Sequence, residues 1–210
     1  VVVTNVGTLV NIYEAIVDDK PVIDKYLSVH GEVKNPIILK TPIGITLKKC
    51  LDAAGGAIIP DYKVIIGGPM MGRMVEKEAL EREVVTKTTG AIIVIPEDHY
   101  MVHRNEKSVK HIINEAKSSC IQCRMCTDLC PRYLIGQKLE PHRIMRSVSM
   151  LENDVDILKE AMLCCECGIC ELFACPMQIS PRLVNIHLKG IFRENNFRFE
   201  KNDKELVGNM

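Results

Sequence analysis

Nine of the ten cysteines in this chain lie in two short runs, and these runs are the part of the sequence most able to do chemistry. The first run, CIQCRMCTDLCP, spans residues 120–131, and the second, CCECGICELFACP, spans residues 164–176. Both runs place a cysteine at every third position, and both end in a cysteine followed by proline. Thiolates are ligands for soft metals, so the spacing indicates which metal centre they bind.

The first run has the C-x2-C-x2-C-x3-C-P spacing that binds [4Fe–4S] clusters in bacterial two-cluster ferredoxins. Three thiolates on one tight loop reach three corners of a cubane, and the fourth ligand must come from elsewhere. In two-cluster ferredoxins the fourth cysteine of each run ligates the other cluster. We therefore predict two clusters with crossed ligands. Cluster I takes Cys120, Cys123, Cys126 and Cys175. Cluster II takes Cys130, Cys164, Cys167 and Cys170.

Zinc is the main alternative, but zinc sites use C-x2–4-C pairs in sets of four ligands, and three cysteines at this spacing crowd one tetrahedral ion. Disulfides are disfavoured because the cysteines are clustered and no secretory signal is recognised. The second run has an extra thiol, Cys165, which is either a bystander beside cluster II or a ligand in place of Cys164. Cys50 lies on the apolar face of a predicted helix and is interpreted as a core cysteine.

The composition excludes several classes of function. The 210 residues include 27 basic and 27 acidic side chains, so no net charge attracts nucleic acid or an acidic membrane. No apolar run approaches the roughly 20 residues of a membrane-spanning helix. We therefore expect no nucleic-acid partner, no direct membrane insertion and a cytoplasmic location.

Residues 23–96 are rich in predicted strands. YLSVHGEV and PIILKTPIG predict a hairpin, and YKVIIGG and GAIIVIP predict further strands. Between them, a short helix is predicted to end at Gly55-Gly56; its apolar positions are Leu47, Cys50, Leu51 and Ala54. These elements predict a small α+β unit with one sheet and a helix across one face. GGPMMG, residues 67–72, lacks a P-loop or dinucleotide pattern and is interpreted as a turn.

The rest of the chain is predicted to be helical and built around its cysteines. The polar stretch 97–108 predicts a linker, and helical spacing of apolar residues follows it at 109–116 and recurs at 184–192. His142, between the two runs, is interpreted as a surface histidine, and the alternative is a histidine that forms a hydrogen bond near a cluster. Because two clusters would tie the two runs together, we expect this half to unfold when iron is removed.

Three segments together resemble a known family: the two cysteine runs, the second extended to CCECGICELFACPMQISPR, and VIIGGPMMG. They are similar to the C subunit of Rnf-type electron-transport complexes and, more closely, to the cobalamin reductases of propanediol utilisation. The resemblance covers the C-terminal portion of such proteins. It implies a β-grasp domain of the soluble-ligand-binding type (SLBB), followed by a helical ferredoxin-like domain with two [4Fe–4S] clusters.

The resemblance also implies a domain organisation. Residues 1–22 would be the remnant of an N-terminal flavin- and NADH-binding domain, residues 23–98 the β-grasp domain and residues 99–210 the cluster domain. TNVGT resembles the last piece of a flavin site, in which Asn5 and Thr8 would lie near the FMN phosphate. The glycine-rich NADH segment is absent from the sequence, so FMN is expected only in the full-length protein, and this chain alone is not expected to oxidise NADH.

The function implied is an electron-transfer module, which relays electrons from the flavin to a downstream acceptor. Its partners would be other electron-transfer subunits, a reductase or a corrinoid protein, at the membrane periphery or inside a bacterial microcompartment. The alternative is a partner-docking module in which the clusters are mainly structural.

Overall fold

The computed structural model describes residues 2–149 and 154–197, and the chain divides into two compact units. The first unit is Val1–His103 and the second is Arg104–Met210. The predicted domains at 1–22, 23–98 and 99–210 stay predictions, and the end of the last one, residues 198–210, lies outside the described residues.

The first unit contains one five-stranded mixed sheet in the order β2-β1-β5-β3-β4. The strands are β1 (Asp24–Gly31), β2 (Ile37–Pro42), β3 (Tyr62–Ile66), β4 (Arg73–Glu76) and β5 (Ala91–Pro96). The predicted hairpin is the antiparallel pair β1–β2, with Leu27 opposite Leu39. β1 and β5 pair in parallel at the centre, with Val29 opposite Ile92. The mixed α+β class is confirmed.

Helix α2 (Leu47–Ala53) packs on this sheet. Its apolar positions Leu47, Cys50 and Leu51 are buried, which confirms Cys50 as a core residue. The helix ends where Gly55 and Gly56 adopt φ of 82° and 80°, a conformation that costs glycine little. β4 and a 3-10 helix, Lys77–Glu81, are not predicted by the sequence because both are short. Residues 67–72 form the turn between β3 and β4, as predicted.

Two further helices precede and follow the five strands in the sequence. Helix α1 (Val6–Val17) has no buried residue. Helix α3 (Tyr100–Asn105) occupies part of the stretch predicted to be a linker; the division between the two units does fall in this stretch, but the stretch is partly helical. Met101 and Val102 are buried with Ile65 and Ile95 of the sheet. Two consecutive apolar residues in a polar stretch are therefore enough to order a short helix when a sheet face is available.

The second unit is helical, as predicted. Its helices are α4 (Val109–Ser119), α5 (Met125–Asp128), α6 (Pro131–Leu134), α7 (Pro141–Ser149), α8 (Val155–Lys159), a 3-10 helix (Glu160–Leu163), α9 (Ile169–Leu172) and α10 (Pro181–Glu194). One apolar core joins α4, α7 and α10 through residues such as Ile112, Ile144 and Leu188. Among the described residues, no helix is both long and apolar enough to cross a bilayer. The two cysteine runs lie on loops and short helices beside this core, and Cys130 is part of it.

Candidate metal centre

The two cysteine runs have the same backbone conformation. The second residue after the first cysteine has positive φ in each run: 55° at Gln122 and 59° at Glu166. The fourth residue does so too, with 68° at Arg124 and 82° at Gly168. Non-glycine residues rarely adopt such angles, and strained backbone of this kind concentrates at functional sites. The repetition in both runs indicates a common constraint on the loops.

The residues with positive φ position the short helix that carries a cysteine of each run. Arg124 and Gly168 each precede a four-residue helix, α5 and α9, which holds the third cysteine of its run. Donors near each first cysteine turn toward its sulfur. Gln122 Nε2 donates to Cys120 Sγ at 3.2 Å, and the Glu166 backbone N–H donates to Cys164 Sγ at 3.3 Å. Each loop therefore curls around its own sulfurs.

Cavity I contains about 330 Å³ of unfilled space, part of it open to solvent. The cysteines that line it are Cys120, Cys123, Cys126 and Cys175. Three of them come from the first run, and Cys175 comes from the end of the second run. Cys123 is exposed, so this cavity reaches the protein surface.

Cavity II contains about 320 Å³ of unfilled space. The cysteines that line it are Cys130, Cys164, Cys165, Cys167 and Cys170. Cys130 comes from the end of the first run, and both Cys130 and Cys170 are buried. Cys164 and Cys165 both line this cavity.

Burial is the main electrostatic effect on the thiols. It raises the pKa of Cys126 to about 12, with a smaller contribution from the neighbouring thiols of cavity I. Burial also raises the pKa of Cys130, Cys167 and Cys170, and the Glu171 carboxylate adds to the effect at Cys170. These thiols are protonated at neutral pH without metal. Metal ligation must displace those protons, and the gain in metal–sulfur bonding offsets the cost of the buried charge.

The donor set fits a [4Fe–4S] cluster in each cavity. Such a cluster needs four thiolates, and each cavity has at least four on a mainly apolar wall. Within residues 2–149 and 154–197, no group of three or more His, Cys, Asp or Glu side chains is arranged to hold a metal ion by itself. The sulfurs instead surround two cavities. The predicted ligand sets stay predictions; each cavity is lined by the four cysteines of one predicted set, and cavity II by Cys165 as well.

Helix α10 fastens the second loop through two cations. Lys189, which is buried, donates to the Cys164 carbonyl at 2.5 Å and to Glu166 Oε1 at 2.6 Å. Arg182 donates through Nε to the Glu166 carbonyl at 3.0 Å and through a terminal nitrogen to Glu171 at 3.3 Å. Both cations contact the stretch that carries the second run, so α10 holds the loop at cavity II.

Glu171 is a buried carboxylate beside Cys170. Its side chain is 1 % exposed and pairs with the guanidinium groups of Arg104 and Arg182. Burial raises the pKa of Glu171, and the two arginines oppose this shift. Two cations around one buried carboxylate offset its desolvation and fix the end of α9.

The interpretation of His142 as a surface histidine is wrong. The residue is half-buried and lines cavity I. Its Nδ1 lies 2.8 Å from the buried hydroxyl of Thr127, which also accepts the His142 backbone N–H. Burial lowers the pKa of His142, so the ring is neutral at pH 7. Proline at position 141, the first residue of α7, starts the helix that positions this ring.

Asn5 and Thr8, the predicted remnant of a flavin site, lie at the start of α1 in the first unit. Asn5 caps the helix, because its Oδ1 accepts the Gly7 backbone N–H at 2.9 Å. Thr8 is exposed in the first turn. Their assignment to FMN stays a prediction, and the cap gives Asn5 a structural role of its own.

Sequence reasoning missed the polar residues of α10 that act at the second run: Arg182 and Asn185 line cavity II, and Lys189 bonds to the loop. Arg182, Asn185 and Lys189 recur at positions i, i+3 and i+7, so they share one helix face. A charged helix face normally indicates solvent, which is why the pattern predicts no role for it. One sequence signal could have indicated this role. Helix α10 begins soon after the second run, so it must pack close to that run.

Comparison with known proteins gives independent assignments for both units. Residues 119–180 match the family described as a 4Fe-4S dicluster domain, and residues 26–73 match the SLBB domain. The chain is 43 % identical over 201 residues to "Cobalamin reductase PduS" of Citrobacter freundii. That match covers 95 % of this chain and 44 % of the relative.

Two further relatives agree. "Cobalamin reductase PduS" of Salmonella typhimurium is 42 % identical over 201 residues, with 95 % and 44 % of the two chains covered. The C subunit of the Na(+)-translocating ferredoxin:NAD(+) oxidoreductase complex of Acetobacterium woodii is 32 % identical over 135 residues, or 64 % of this chain and 27 % of the relative. The chain thus spans less than half the length of the curated relatives it matches.

Proposed function

The chain is a homologue of the cobalamin reductases PduS and the Rnf complex C subunits, with an SLBB and a 4Fe–4S dicluster domain, and we propose that it relays electrons through two clusters. The observation that carries the proposal is the sorting of nine cysteines into two cavities with at least four thiols each. When bound, the clusters supply one-electron redox chemistry. The chain's own residues supply the thiols that would bind them and donate hydrogen bonds to sulfur.

The ligand sets we propose are the crossed ones. Cys120, Cys123, Cys126 and Cys175 bind cluster I, and Cys130, Cys164, Cys167 and Cys170 bind cluster II. The composition of the two cavity walls supports this assignment. The hydrogen bond from the Glu166 N–H to Cys164 Sγ favours Cys164 over Cys165 as the ligand, because ligating sulfurs are the ones that loops of this kind surround with donors.

We propose that electrons enter from a flavin- and NADH-binding part of the full-length protein, which would contain FMN. Two observations support this. One relative is named as a subunit of a ferredoxin:NAD(+) oxidoreductase complex, and the relatives are longer than this chain. The exposed apolar residues of α1, such as Leu9 and Ile16, are consistent with a surface that such a part covers. The acceptor would be another electron-transfer subunit, a reductase or a corrinoid protein. The protein would act in the cytoplasm, at the membrane periphery or in a microcompartment.

The test begins with anaerobic purification and analysis of iron and acid-labile sulfide. Two cubanes give about eight of each per chain. Dithionite is then added, and electron paramagnetic resonance (EPR) is expected to show two interacting reduced clusters. Clusters that are present but cannot be reduced would favour the partner-docking alternative. A colourless protein loaded with zinc would overturn the proposal.

A further inference from the structure

Asn185 is a buried amide with no hydrogen-bond partner on either side-chain atom. The residue is 1 % exposed, lies on α10 and lines cavity II together with its cysteines. A buried polar group without a partner destabilises the fold, because it has lost its hydrogen bonds to water. Such groups are rare in folded proteins, and one explanation is that the group serves a redox or binding role.

The neighbours of Asn185 on the same helix face do have hydrogen-bond partners. Arg182, one turn before, and Lys189, one turn after, both bond to the loop of the second run. Asn185 lies between them on the helix, and its side-chain amide has no hydrogen-bond partner at the cavity wall. Leucine at this position would give the helix the same core contact without the cost of a buried amide, so packing alone does not explain the asparagine.

A second orphaned donor lines the same cavity. Arg132 follows Pro131 at the end of the first run, and its Nε is buried and without a partner. Two buried N–H donors from different elements therefore line one cavity that also holds five sulfurs. Sulfur accepts hydrogen bonds from N–H groups, as Cys120 and Cys164 already do in these loops.

We propose that the side-chain amide of Asn185 donates a hydrogen bond to a sulfur of the cluster in cavity II and raises the potential of that cluster. The inference rests on the proposed function, since it needs a cluster in the cavity. A cluster gains negative charge on reduction, and a donor to its sulfur stabilises the reduced form more than the oxidised form. Arg132 Nε is the corresponding donor from the first run. Asn185 thus tunes the potential of one cluster by direct contact with its sulfur.

The test compares the variant Asn185→Leu with wild type in EPR-monitored redox titrations of the cluster-loaded protein. Leucine has the branched shape of asparagine and no donor. We expect one of the two midpoint potentials to become more negative and the other to stay unchanged, with iron and sulfide at the wild-type level. The potential that moves is identified with Cys167→Ser, which alters the same cluster. Asn114→Leu is the matched control, because Asn114 is exposed on α4.

A second measurement does not depend on the variant folding. Wild-type protein is labelled with ¹⁵N at asparagine side-chain amides and reduced. Electron spin-echo envelope modulation then detects ¹⁵N nuclei that are coupled to a reduced cluster. A ¹⁵N coupling to one cluster is expected, and its absence overturns the inference, as do unchanged potentials in a cluster-loaded Asn185→Leu protein. If Asn185→Leu binds no cluster, the labelled wild type decides. Wild-type protein without iron would instead overturn the proposed function.

Discussion

Cys130 and Cys175 are exchanged between the two cysteine runs: each lines the cavity formed mainly by the other run. Cys130 ends the first run and lines cavity II, and Cys175 ends the second run and lines cavity I. Each cavity is therefore closed by sulfurs from both segments of the second unit. A cluster in either cavity would join two parts of the chain that are separated by α6, α7 and α8.

The exchange predicts the result of removing each of the two residues. Cys130→Ala and Cys175→Ala should each lower iron from about eight to about four per chain, because each removes one ligand of one cluster. Iron analysis and EPR of the anaerobic proteins measure the loss. Cys50→Ala is the control, since Cys50 is buried in the first unit and should leave iron unchanged. Full iron content in both run variants would contradict the crossed assignment.

Removal of iron should unfold the second unit. Cys130 and Cys170 are buried, and clusters with the proposed ligands would tie the two runs together, so the cluster bonds carry much of the folding free energy. Treatment with a chelator and oxidant should lower the helical signal in far-ultraviolet circular dichroism. The sheet of the first unit has its own core and should survive, as measured by hydrogen exchange of β1 and β5. An unchanged helical signal after complete iron loss would show that the clusters are not needed for folding.

Substitution of Cys165 should separate ligand from bystander. Cys165→Ser should keep about eight irons, because Cys164 is the proposed ligand of cluster II. Cys164→Ser should disturb that cluster, and any iron retained there would then rest on Cys165 as a substitute. The double variant should lose cluster II. If Cys165→Ser loses iron and Cys164→Ser does not, the two roles are reversed.

Arg182→Met should destabilise the second unit by about 2–5 kcal/mol. The substitution removes one of the two guanidinium partners of the buried Glu171 and the bond to the Glu166 carbonyl. Anaerobic urea unfolding of the cluster-loaded protein measures the free energy. Arg193→Met is the matched control, because Arg193 is exposed on the same helix and should change stability by less than about 1 kcal/mol. Equal effects of the two substitutions would contradict a structural role for the Arg182–Glu171 pair.

Leu51→Ala should destabilise the first unit by about 2–5 kcal/mol, because Leu51 is fully buried between α2 and the sheet. Iron content should stay at the wild-type level, since Leu51 belongs to the core of the first unit. Denaturant unfolding followed by tyrosine fluorescence measures the first effect. A loss of iron would show that the clusters depend on the core of the first unit.

The sequence alone determined the features that depend on neighbouring residues. The cysteine spacing predicted iron–sulfur chemistry, and the resemblance to Rnf C subunits and cobalamin reductases is confirmed by relatives and domain matches. The hairpin β1–β2 and the end of α2 at Gly55 followed from alternation and glycine, because turns and helix ends are set by local backbone preferences. The α+β unit and the helical unit followed for the same reason, whereas the SLBB assignment came from the resemblance to the family.

Only the tertiary structure decided which distant residues meet. The parallel pairing of β1 with β5 joins strands that lie at opposite ends of the first unit, and no local pattern specifies it. The polar stretch that forms α3 is helical because a sheet face accepts two of its side chains. His142 and Asn185 are ordinary residues in the sequence, and the packing of α7 and α10 places them at the two cavities. Long-range burial chooses the neighbours of a side chain, whereas short-range spacing fixes only what that side chain can bind.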